Sequence, residues 1–297
     1  MSRRSPARSL TRRLLYRLAT DARFEILVRR SSALEWRAYR AARRYVAGTS
    51  LADALEVVGR LHAQGLSATL DLFGENLADP DAVEQTVRRY LEVARAIGRL
   101  DADVYLEVVP SHLGLDHSAE FFSRQAERIA EALPGGSRLQ VSAEESWRTP
   151  RILDAVLALA AQHAPIVPTL QANLRRSAGD AERLGAAGVP VRLVKGAYVE
   201  PPEVAYGWGE ATDLAFLRLA HALHQSGVEL AIGTHDPVIR EALLLALPGI
   251  KLEVLLGVRE DEAPMLAQRG HPVRVYVPFG ESWFRYWMRR VAESKGP

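Results

Sequence analysis

Two adjacent arginines near the C-terminus, Arg289 and Arg290, are the residues best suited to binding a ligand. They lie in a helical pattern that follows a strand-like run, Val273–Val277, and a Pro-Phe-Gly turn. The same pattern holds the aromatic residues Trp283, Phe284, Tyr286 and Trp287. An arginine side chain is planar and permanently charged, so a pair can grip a carboxylate through parallel hydrogen bonds. Most arginine pairs lie on a solvated helix face, but the aromatic neighbours favour a partly enclosed carboxylate site.

Polar side chains also stand where several apolar runs end. They are Asp71 and Glu75 after the first run, Gln171 after the fourth, Lys195 and Tyr198 after the fifth, His235 and Asp236 after the sixth, and Tyr276 in the eighth. Each has an ordinary structural role open to it: Asp71 could cap a turn, and Gln171 could bind a loop carbonyl. Their number favours a shared site, because chemistry in parallel α/β barrels gathers at the carboxyl ends of the strands.

The elements that would position these residues alternate along the chain. Eight short β-rich runs occur, at Ser67–Leu72, Val104–Val109, Leu139–Ala143, Ile166–Leu170, Val191–Val194, Glu229–Ile232, Leu252–Leu256 and Val273–Val277. Helical patterns lie between them, among them Asp81–Ile97, Ser118–Leu133, Arg151–His163, Leu214–Gln225 and Pro237–Ala246. This alternation predicts a parallel sheet with right-handed crossovers, and eight such units predict a closed (βα)8 barrel of the TIM type. No Gly-x-Gly-x-x-Gly motif follows the first run, which argues against a dinucleotide-binding Rossmann domain.

Composition limits the chemistry that the chain can perform. The 297 residues are 48% hydrophobic and 25% charged, which is typical of a globular protein. There is no cysteine, which excludes disulfides, thiolate nucleophiles and cysteine-based metal sites. We predict a basic N-terminal helical arm over residues 1–60 and a barrel over residues 61–297, with a C-terminal helix over the barrel mouth.

Positive charge is concentrated in the N-terminal arm. Residues 1–44 hold thirteen arginines against Asp21, Glu25 and Glu35, a net charge of +10, so the remainder carries −8 within the total of +2. Such an arm suits an anionic membrane surface or nucleic acid, whereas its apolar residues, such as Leu14 and Phe24, favour a helix that packs one face. No 15-residue apolar run occurs, so we expect neither a signal peptide nor a membrane span. We expect a cytoplasmic location without a nucleic-acid partner, and leave peripheral membrane contact through the arm open.

Six motifs spread over most of the chain point to one family. They are Arg43-Arg-Tyr-Val-Ala-Gly48, Leu70-Asp-Leu-Phe-Gly-Glu75, Leu113-Gly-Leu-Asp116, Arg192-Leu-Val-Lys-Gly-Ala-Tyr198, Thr234-His-Asp236 and the segment from Tyr276 to Glu293. In combination they resemble the proline dehydrogenase family, flavin-dependent (βα)8 barrels that also form one domain of bifunctional proline-catabolic enzymes. The resemblance implies that FAD lies over the top of the barrel without a Rossmann domain.

The resemblance also implies roles for individual residues. The positions implied to contact FAD are Gln171, Arg192, Val194, Lys195, Gly196, Ala197, Thr234, His235 and Glu293. The residues implied to form the catalytic pocket are Arg289 and Arg290, which clamp the substrate carboxylate, Tyr198 and Tyr276, which wall the pocket, and Glu75, which pairs with Arg289 to close a gate. The implied reaction oxidises L-proline, or a proline-like cyclic imino acid, to a cyclic imine of the 1-pyrroline-5-carboxylate type by hydride transfer to FAD. A quinone-like or other electron acceptor is the implied partner.

Two positions depart from the family pattern in the substrate pocket. Val109 stands where the family has a pocket lysine, and Ser142 stands where it has an aspartate. Replacing both members of a buried charge pair can be nearly neutral, whereas losing one member costs about 3–5 kcal/mol. The joint change predicts a remodelled, less charged and roomier pocket that prefers a larger or substituted imino acid. The competing interpretation is tolerated drift in an ordinary proline dehydrogenase, with Glu107, two residues before Val109, as a compensating carboxylate.

Two other classes of function stay open from the residues alone. A lysine that ends a barrel strand, as Lys195 does, is also the nucleophile of Schiff-base aldolases. A non-catalytic ligand-binding barrel is the second alternative, because two pocket residues are replaced. A metal site is not predicted, since His221 and His224 lie on an amphipathic helix without clustered acidic partners.

Overall fold

Eight parallel strands close into a barrel in sequence order, so that the first strand pairs with the eighth. The strands are β1 Ser67–Leu72, β2 Val104–Val108, β3 Leu139–Val141, β4 Ile166–Gln171, β5 Val191–Val194, β6 Leu230–Gly233, β7 Lys251–Leu255 and β8 Val273–Phe279. The computed structural model describes residues 22–294, and it describes side chains from residue 23 to residue 291. The predicted (βα)8 barrel is confirmed.

Helices cover the barrel and extend it at both ends of the chain. They are α1 Ala22–Arg29, α2 Ser32–Ala42, α3 Leu51–His62, α4 Pro80–Ile97, α5 Ala119–Glu131, α6 Thr149–Ala161, α7 Ser177–Ala186, α8 Glu210–Gln225, α9 Pro237–Ala246, α10 Glu262–Gln268 and α11 Trp283–Ser294, with a 3-10 turn at Pro110–Leu113. The arm is therefore helical as predicted from Ala22 onward. Its first 21 residues, including Leu14, lie outside the described residues.

Strand boundaries agree with the sequence to within two residues, and the shortest strand shows why such boundaries differ. The run Leu139–Ala143 was expected to be one strand, but β3 ends at Val141. Beyond it the Glu144 carboxylate accepts the backbone N–H of Ser111 at 2.8 Å, and the Glu144 carbonyl accepts the Gln171 side chain at 2.8 Å. These side-chain bonds replace the strand ladder, so the chain turns across the mouth of the barrel.

Side-chain caps fix where helices begin, and one of them bears on the site. Asp236 accepts the N–H groups of Val238 and Ile239 through its side chain and precedes Pro237 at the first position of α9. An aspartate cap followed by proline is a strong helix start. The loop between β6 and α9 is therefore held rigidly, and with it the polar residues that follow β6.

The barrel interior is polar and charged, unlike the apolar layer beneath the outer helices. In β1, Ala68, Leu70 and Leu72 belong to the main hydrophobic core, whereas the alternate residues Thr69 and Asp71 face inward. The buried polar residues on inward positions of the strands are Thr69, Asp71, Glu107, Gln140, Gln171, Arg192, Glu253 and Arg274. Burying so many polar groups is costly unless they pair, so the strands must arrange them as a network.

A second, aromatic core joins the C-terminal helix to the N-terminal helices. The ring centroids of Phe24 in α1 and Phe284 in α11 lie 5.9 Å apart, and those of Tyr39 in α2 and Trp283 lie 5.2 Å apart. Aromatic pairs at such separations stabilise a contact beyond simple burial. Helix α11 is thus held between the arm and the barrel mouth. Among the described helices, none is both long and apolar enough to cross a membrane.

Candidate active site

A cavity of about 900 Å³ opens at the carboxyl ends of the strands. It is lined by most of the residues singled out from the sequence, namely Glu75, Gln171, Arg192, Val194, Lys195, Gly196, Ala197, Tyr198, Thr234, His235, Tyr276, Arg289 and Arg290. The side chain of Glu293 lies outside the described residues. Residues from five strands or their loops and from α11 therefore meet in one cavity. Its size suits a small-molecule or cofactor site, about 300–1,000 Å³.

The two arginines face this cavity from α11. The Arg290 guanidinium lies over the ring of Tyr286, 4.9 Å from its centroid, and Arg289 lies 3.9 Å from the Glu75 carboxylate. Tyr198 lines the same cavity, and its hydroxyl donates to the Ala143 carbonyl at 3.3 Å. Burial raises the pKa of Tyr198, so its hydroxyl keeps its proton. This end of the cavity presents two cations and a neutral phenol, a combination suited to a carboxylate.

Glu75 is shared between two arginines, and the closer one was not expected. Its Oε1 accepts a hydrogen bond from Arg285 at 3.1 Å, whereas its Oε2 lies 3.9 Å from Arg289. Arg285 also donates to Glu25 of α1 at 3.1 Å. The sequence held a signal for this contact that was missed. Arg285 precedes Arg289 by four residues, so the two side chains lie on the same face of the helix.

A buried arginine sits at the floor of the cavity between two carboxylates. Arg192 Nε lies 2.6 Å from Glu253, and its NH1 lies 3.5 Å from Glu107. Its guanidinium also lies 5.5 Å from the ring centroid of Tyr276. The charge of Arg192 is thus paired with two carboxylates of the protein, and these ion pairs hold the floor of the cavity in place. Glu253 was missed, although period-two alternation in β7 places it on the inward face.

Glu107 places a carboxylate beside Ser142 in the pocket. The Ser142 hydroxyl donates to Glu107 Oε1, and the Gln140 side chain donates to Glu107 Oε2 at 2.8 Å. Glu107, Ser142 and Val109 all line the cavity. A carboxylate therefore stands on β2 in contact with Ser142 at the end of β3, close to where the family pattern carries the aspartate.

Asp71 and Tyr276 form a buried pair beside Glu107. The Tyr276 hydroxyl donates to Asp71 Oδ2 at 2.5 Å, and Asp71 is only 3% exposed. Asp71 and Glu107 are direct neighbours in the β1–β2 register. Burial, and then the charge of Glu107, raise the pKa of Asp71 to about 7. Asp71 does not cap a turn; it places a carboxyl group of unusual proton affinity on the cavity wall.

Two residues at the implied cofactor positions, Lys195 and His235, already have protein partners. Lys195 Nζ lies 2.6 Å from Asp213 and 3.2 Å from Asp236, so its charge is shared with two carboxylates. A Schiff-base lysine must have its amine free to attack a carbonyl, whereas the Lys195 amine is engaged by two carboxylates, which disfavours the aldolase alternative. His235 Nε2 accepts the N–H of Leu255 at 3.1 Å. Burial lowers the pKa of His235 to about 4, so the ring is neutral and its proton lies on Nδ1.

A polar cluster that sequence reasoning missed ties together three loops at the cavity rim. Arg148 contacts Asp116 at 2.5 Å, Glu144 at 3.3 Å and Glu145 at 2.6 Å, and donates to Asn76 at 2.7 Å. Asp116 ends the Leu113–Asp116 motif, so the cluster gives that motif a structural purpose. The loops after β1, β2 and β3 are therefore held as one unit.

Comparison with known proteins agrees with this geometry. The sequence pattern of the family described as Proline dehydrogenase matches residues 54–297. Proline dehydrogenase 1 of Bacillus subtilis (strain 168) is 32% identical over 260 residues, covering 85% of this chain and 86% of that protein. Proline dehydrogenase of Deinococcus radiodurans is 31% identical over 269 residues, with coverage of 85% and 86%.

Solved structures show the same fold at lower identity. Proline utilization A from Bdellovibrio bacteriovorus, inactivated by N-propargylglycine, superimposes with a TM-score of 0.80 at 20% identity, covering 89% of this chain and 34% of that one. Proline utilization A from Corynebacterium freiburgense gives a TM-score of 0.74 at 17% identity, with coverage of 99% and 34%. The chain thus spans about a third of these larger proteins, while it matches most of the curated relatives. The match over residues 54–297 and relatives above 30% identity establish that the chain belongs to the proline dehydrogenase family.

Proposed function

We propose that the protein is a flavin-dependent dehydrogenase that oxidises L-proline, or a proline-like cyclic imino acid, to the corresponding cyclic imine. The observation that carries the proposal is the joint placement of two kinds of group in one cavity. Arg289 and Arg290 stand at one side, where a carboxylate would bind, and the acidic pair Asp71 and Glu107 stands on the floor. An imino acid carries a carboxylate and a ring ammonium, so its two charges complement these two regions.

FAD fits the cavity wall that β4, β5 and β6 provide. Gly196 has φ +112°, and a side chain there would collide with Asn173 Oδ1, so glycine keeps the loop after β5 tight against the loop after β4. The cavity-lining residues that would hold the cofactor are Gln171, Arg192, Val194, Lys195, Gly196, Ala197, Thr234 and His235, and we extend the assignment to Glu293. Bound FAD would supply the two-electron acceptor for the hydride.

The chain's own residues bind and orient the substrate. Two guanidinium groups on one helix fix the carboxylate, and with it the direction in which the ring points. Tyr198 and Tyr276 close the sides with rings whose hydroxyls stay protonated, since burial raises the pKa of both. Glu75 and Arg285 cover the entrance beside α11. Such enclosure excludes water and strengthens the charge interactions inside the cavity.

The substrate test uses the flavin absorbance. The purified protein should be yellow, and anaerobic L-proline or a ring-substituted analogue should bleach it. Fast bleaching by L-proline alone would assign the ordinary substrate and reject the larger-substrate interpretation of Val109 and Ser142. A colourless protein that fails to bind added FAD would contradict the proposal. A yellow protein that no imino acid bleaches would favour a non-catalytic binding barrel.

We further propose that α1 and α2 bring the protein to an anionic membrane surface, where a quinone-like acceptor would reoxidise the flavin. Ile26, Leu27, Leu34 and Trp36 are exposed there, and the exposed arginines Arg30, Arg37 and Arg40 lie among them. Exposed apolar and basic side chains on the same short stretch of chain suit an anionic lipid interface. The protein should sediment with phosphatidylglycerol vesicles and not with phosphatidylcholine vesicles. Its sedimentation with phosphatidylglycerol vesicles should be lost in 0.5 M salt, because salt screens the attraction between surface charges. Equal binding to both lipids would contradict this.

A further inference from the structure

One oxygen of Asp71 has no partner although the residue is buried. Asp71 Oδ2 takes the hydrogen bond from Tyr276, whereas Oδ1 has no hydrogen-bond partner among the described residues. Asp71 lines the cavity and is 3% exposed. A bare acceptor inside a protein is costly and unusual, and at a cavity wall it indicates a donor supplied by a ligand.

The charges around Asp71 define which donor would suit it. Glu107 stands beside it on β2, Tyr276 on β8 donates to it, and Arg192 on β5 and Arg289 on α11 attract it. The negative charge of Asp71 also acts on the buried Tyr90 of α4. Arg192 is already engaged by Glu253 and Glu107. Within the part of the chain that the structure describes, the carboxylates of Asp71 and Glu107 therefore have only Arg192 close to them on the floor, and Arg192 is already paired with Glu253. The floor thus carries an excess of negative charge. A cationic N–H donor would relieve it, whereas a neutral donor or an anion would not.

We propose that Asp71 is a further catalytic residue, whose Oδ1 accepts the hydrogen bond and then the proton of the substrate's ring nitrogen, beside the carboxylate of Glu107 on the neighbouring strand. The inference rests on the function proposed above and deepens it, because it assigns the group that prepares the amine. Neither Asp71 nor Glu107 belongs to the residues assigned above to the carboxylate clamp or to the cofactor.

The ring nitrogen of a bound cyclic imino acid is a secondary ammonium with two N–H bonds. One N–H bond breaks and an O–H bond forms at Asp71 Oδ1, which leaves the nitrogen neutral with a lone pair. That lone pair becomes the second bond of the C=N group as the adjacent carbon releases hydrogen with both electrons to the flavin. The other N–H proton stays on the product imine, which is released protonated or loses that proton to solvent. Asp71 returns its own proton to solvent afterwards.

The pH dependence gives the proposal its first test. Asp71 must be ionised to accept the proton, so kcat/KM should fall as the pH drops through about 7, the value to which burial and Glu107 raise its pKa. Removing the Glu107 charge lowers the pKa of Asp71, so Glu107→Gln should move this acidic limb to lower pH. Glu229→Gln is the matched control, because it removes a carboxylate that pairs with Arg138 and Lys251 and does not line the cavity. An acidic limb that moves equally in both variants, or in neither, would overturn the proposal.

Proton release on binding gives a second test that does not depend on turnover. Enzyme reduced beforehand under anaerobic conditions cannot oxidise L-proline, so calorimetry in two buffers of different ionisation enthalpy counts the protons exchanged. At pH 7 an ammonium ligand should release about half a proton from Asp71, because the group is then about half protonated. Cyclopentanecarboxylate, which lacks the nitrogen, should release none, and Asp71→Asn should abolish the release with L-proline.

The variants also separate this inference from the proposed function. Wild-type protein should prefer L-proline to cyclopentanecarboxylate by about tenfold or more, as expected for a charge-assisted hydrogen bond, and Asp71→Asn should lose that preference. If L-proline binds and bleaches the flavin, but Asp71→Asn releases as many protons and prefers L-proline as strongly as wild type does, only the role of Asp71 is overturned. Failure of any imino acid to bind would overturn both. Glu107→Gln keeps Asp71 in place, so the pH test stands even if Asp71→Asn does not fold.

Discussion

Arg290 is the residue whose chemistry can be tested most directly. Its guanidinium stacks on Tyr286 at 4.9 Å while facing the cavity. Lysine cannot reproduce a planar fork, and loss of one charge-assisted hydrogen bond costs roughly 1.5–3 kcal/mol. Arg290→Lys should therefore raise KM by about tenfold to a hundredfold in steady-state assays. Arg285→Lys, one turn earlier on the helix, retains charge between two glutamates and should change KM by less than about threefold. Unchanged KM in Arg290→Lys would place the carboxylate elsewhere.

Lys195 tests the cofactor at the same scale. It neutralises Asp213 and Asp236, so its removal would leave two carboxylates facing the cavity. Lys195→Ala should weaken FAD binding by about tenfold, the effect of one lost charge-assisted contact, measured by flavin fluorescence quenching. Lys251→Ala is the matched control, because Lys251 also pairs with a glutamate, Glu229 at 2.8 Å, and does not line the cavity. Equal FAD affinity in both variants would remove Lys195 from the cofactor site.

At the scale of elements, the Arg148 cluster predicts a loss of stability. Arg148 holds the loops after β1, β2 and β3, and Glu144, its partner at 3.3 Å, is buried. Arg148→Met would leave that carboxyl without its cation, which typically costs about 3–5 kcal/mol. The free energy of unfolding from urea titrations should fall by this order. Arg183→Met, which breaks the exposed pair with Asp154, should cost less than about 1 kcal/mol. Similar losses in both variants would show that the cluster contributes little.

The elements also show how far sequence reasoning reaches. Alternating runs predicted all eight strands, since an apolar face must recur with the period of the element that buries it. The residues at the ends of those strands, such as Gln171 and Val194, converged because a barrel gathers strand ends by its topology. Partner choice was not predictable in the same way. Glu75 pairs more closely with Arg285 than with Arg289, and Ser142 meets Glu107, because side-chain reach and rotamer decide among neighbours that the fold merely brings near.

At the scale of the whole molecule, the acidic floor should make stability depend on pH. The folded-state pKa of Asp71, about 7, lies above its ordinary value of 3.8. The stability tied to its protonated form is therefore complete below about pH 4 and is lost as the pH rises through about 7. Asparagine does not titrate, so Asp71→Asn does not lose this stability as the pH rises. Between pH 4 and pH 8 the free energy of unfolding of the variant should therefore rise relative to that of wild type, by at most about 4 kcal/mol.

Urea unfolding with saturating FAD at both pH values would measure this difference. Asp53 is the contrasting case, since its hydrogen bonds with Ser50 lower its pKa. Its contribution is present at neutral pH and is lost as the pH falls through its folded-state pKa, so Asp53→Asn should lose stability relative to wild type at pH 8, not gain it. If the difference in free energy of unfolding between wild type and Asp71→Asn is the same at every pH in this range, the pKa of Asp71 is not raised in the folded protein. A rising difference would show that the site is maintained at the expense of the fold.

The contact between Arg285 and Glu25 bears on where the catalytic unit begins. Glu25 lies on the N-terminal arm, yet it lines the cavity and binds the arginine that holds Glu75. Phe24 and Tyr39 cover the aromatic face of α11 from the same side. A fragment cut at the sequence-predicted boundary after residue 60 would bare that face to water and deprive the entrance of one wall. The helices α1 and α2 are therefore part of the active-site region. A fusion or truncation that is meant to stay active should have its junction before Ala22.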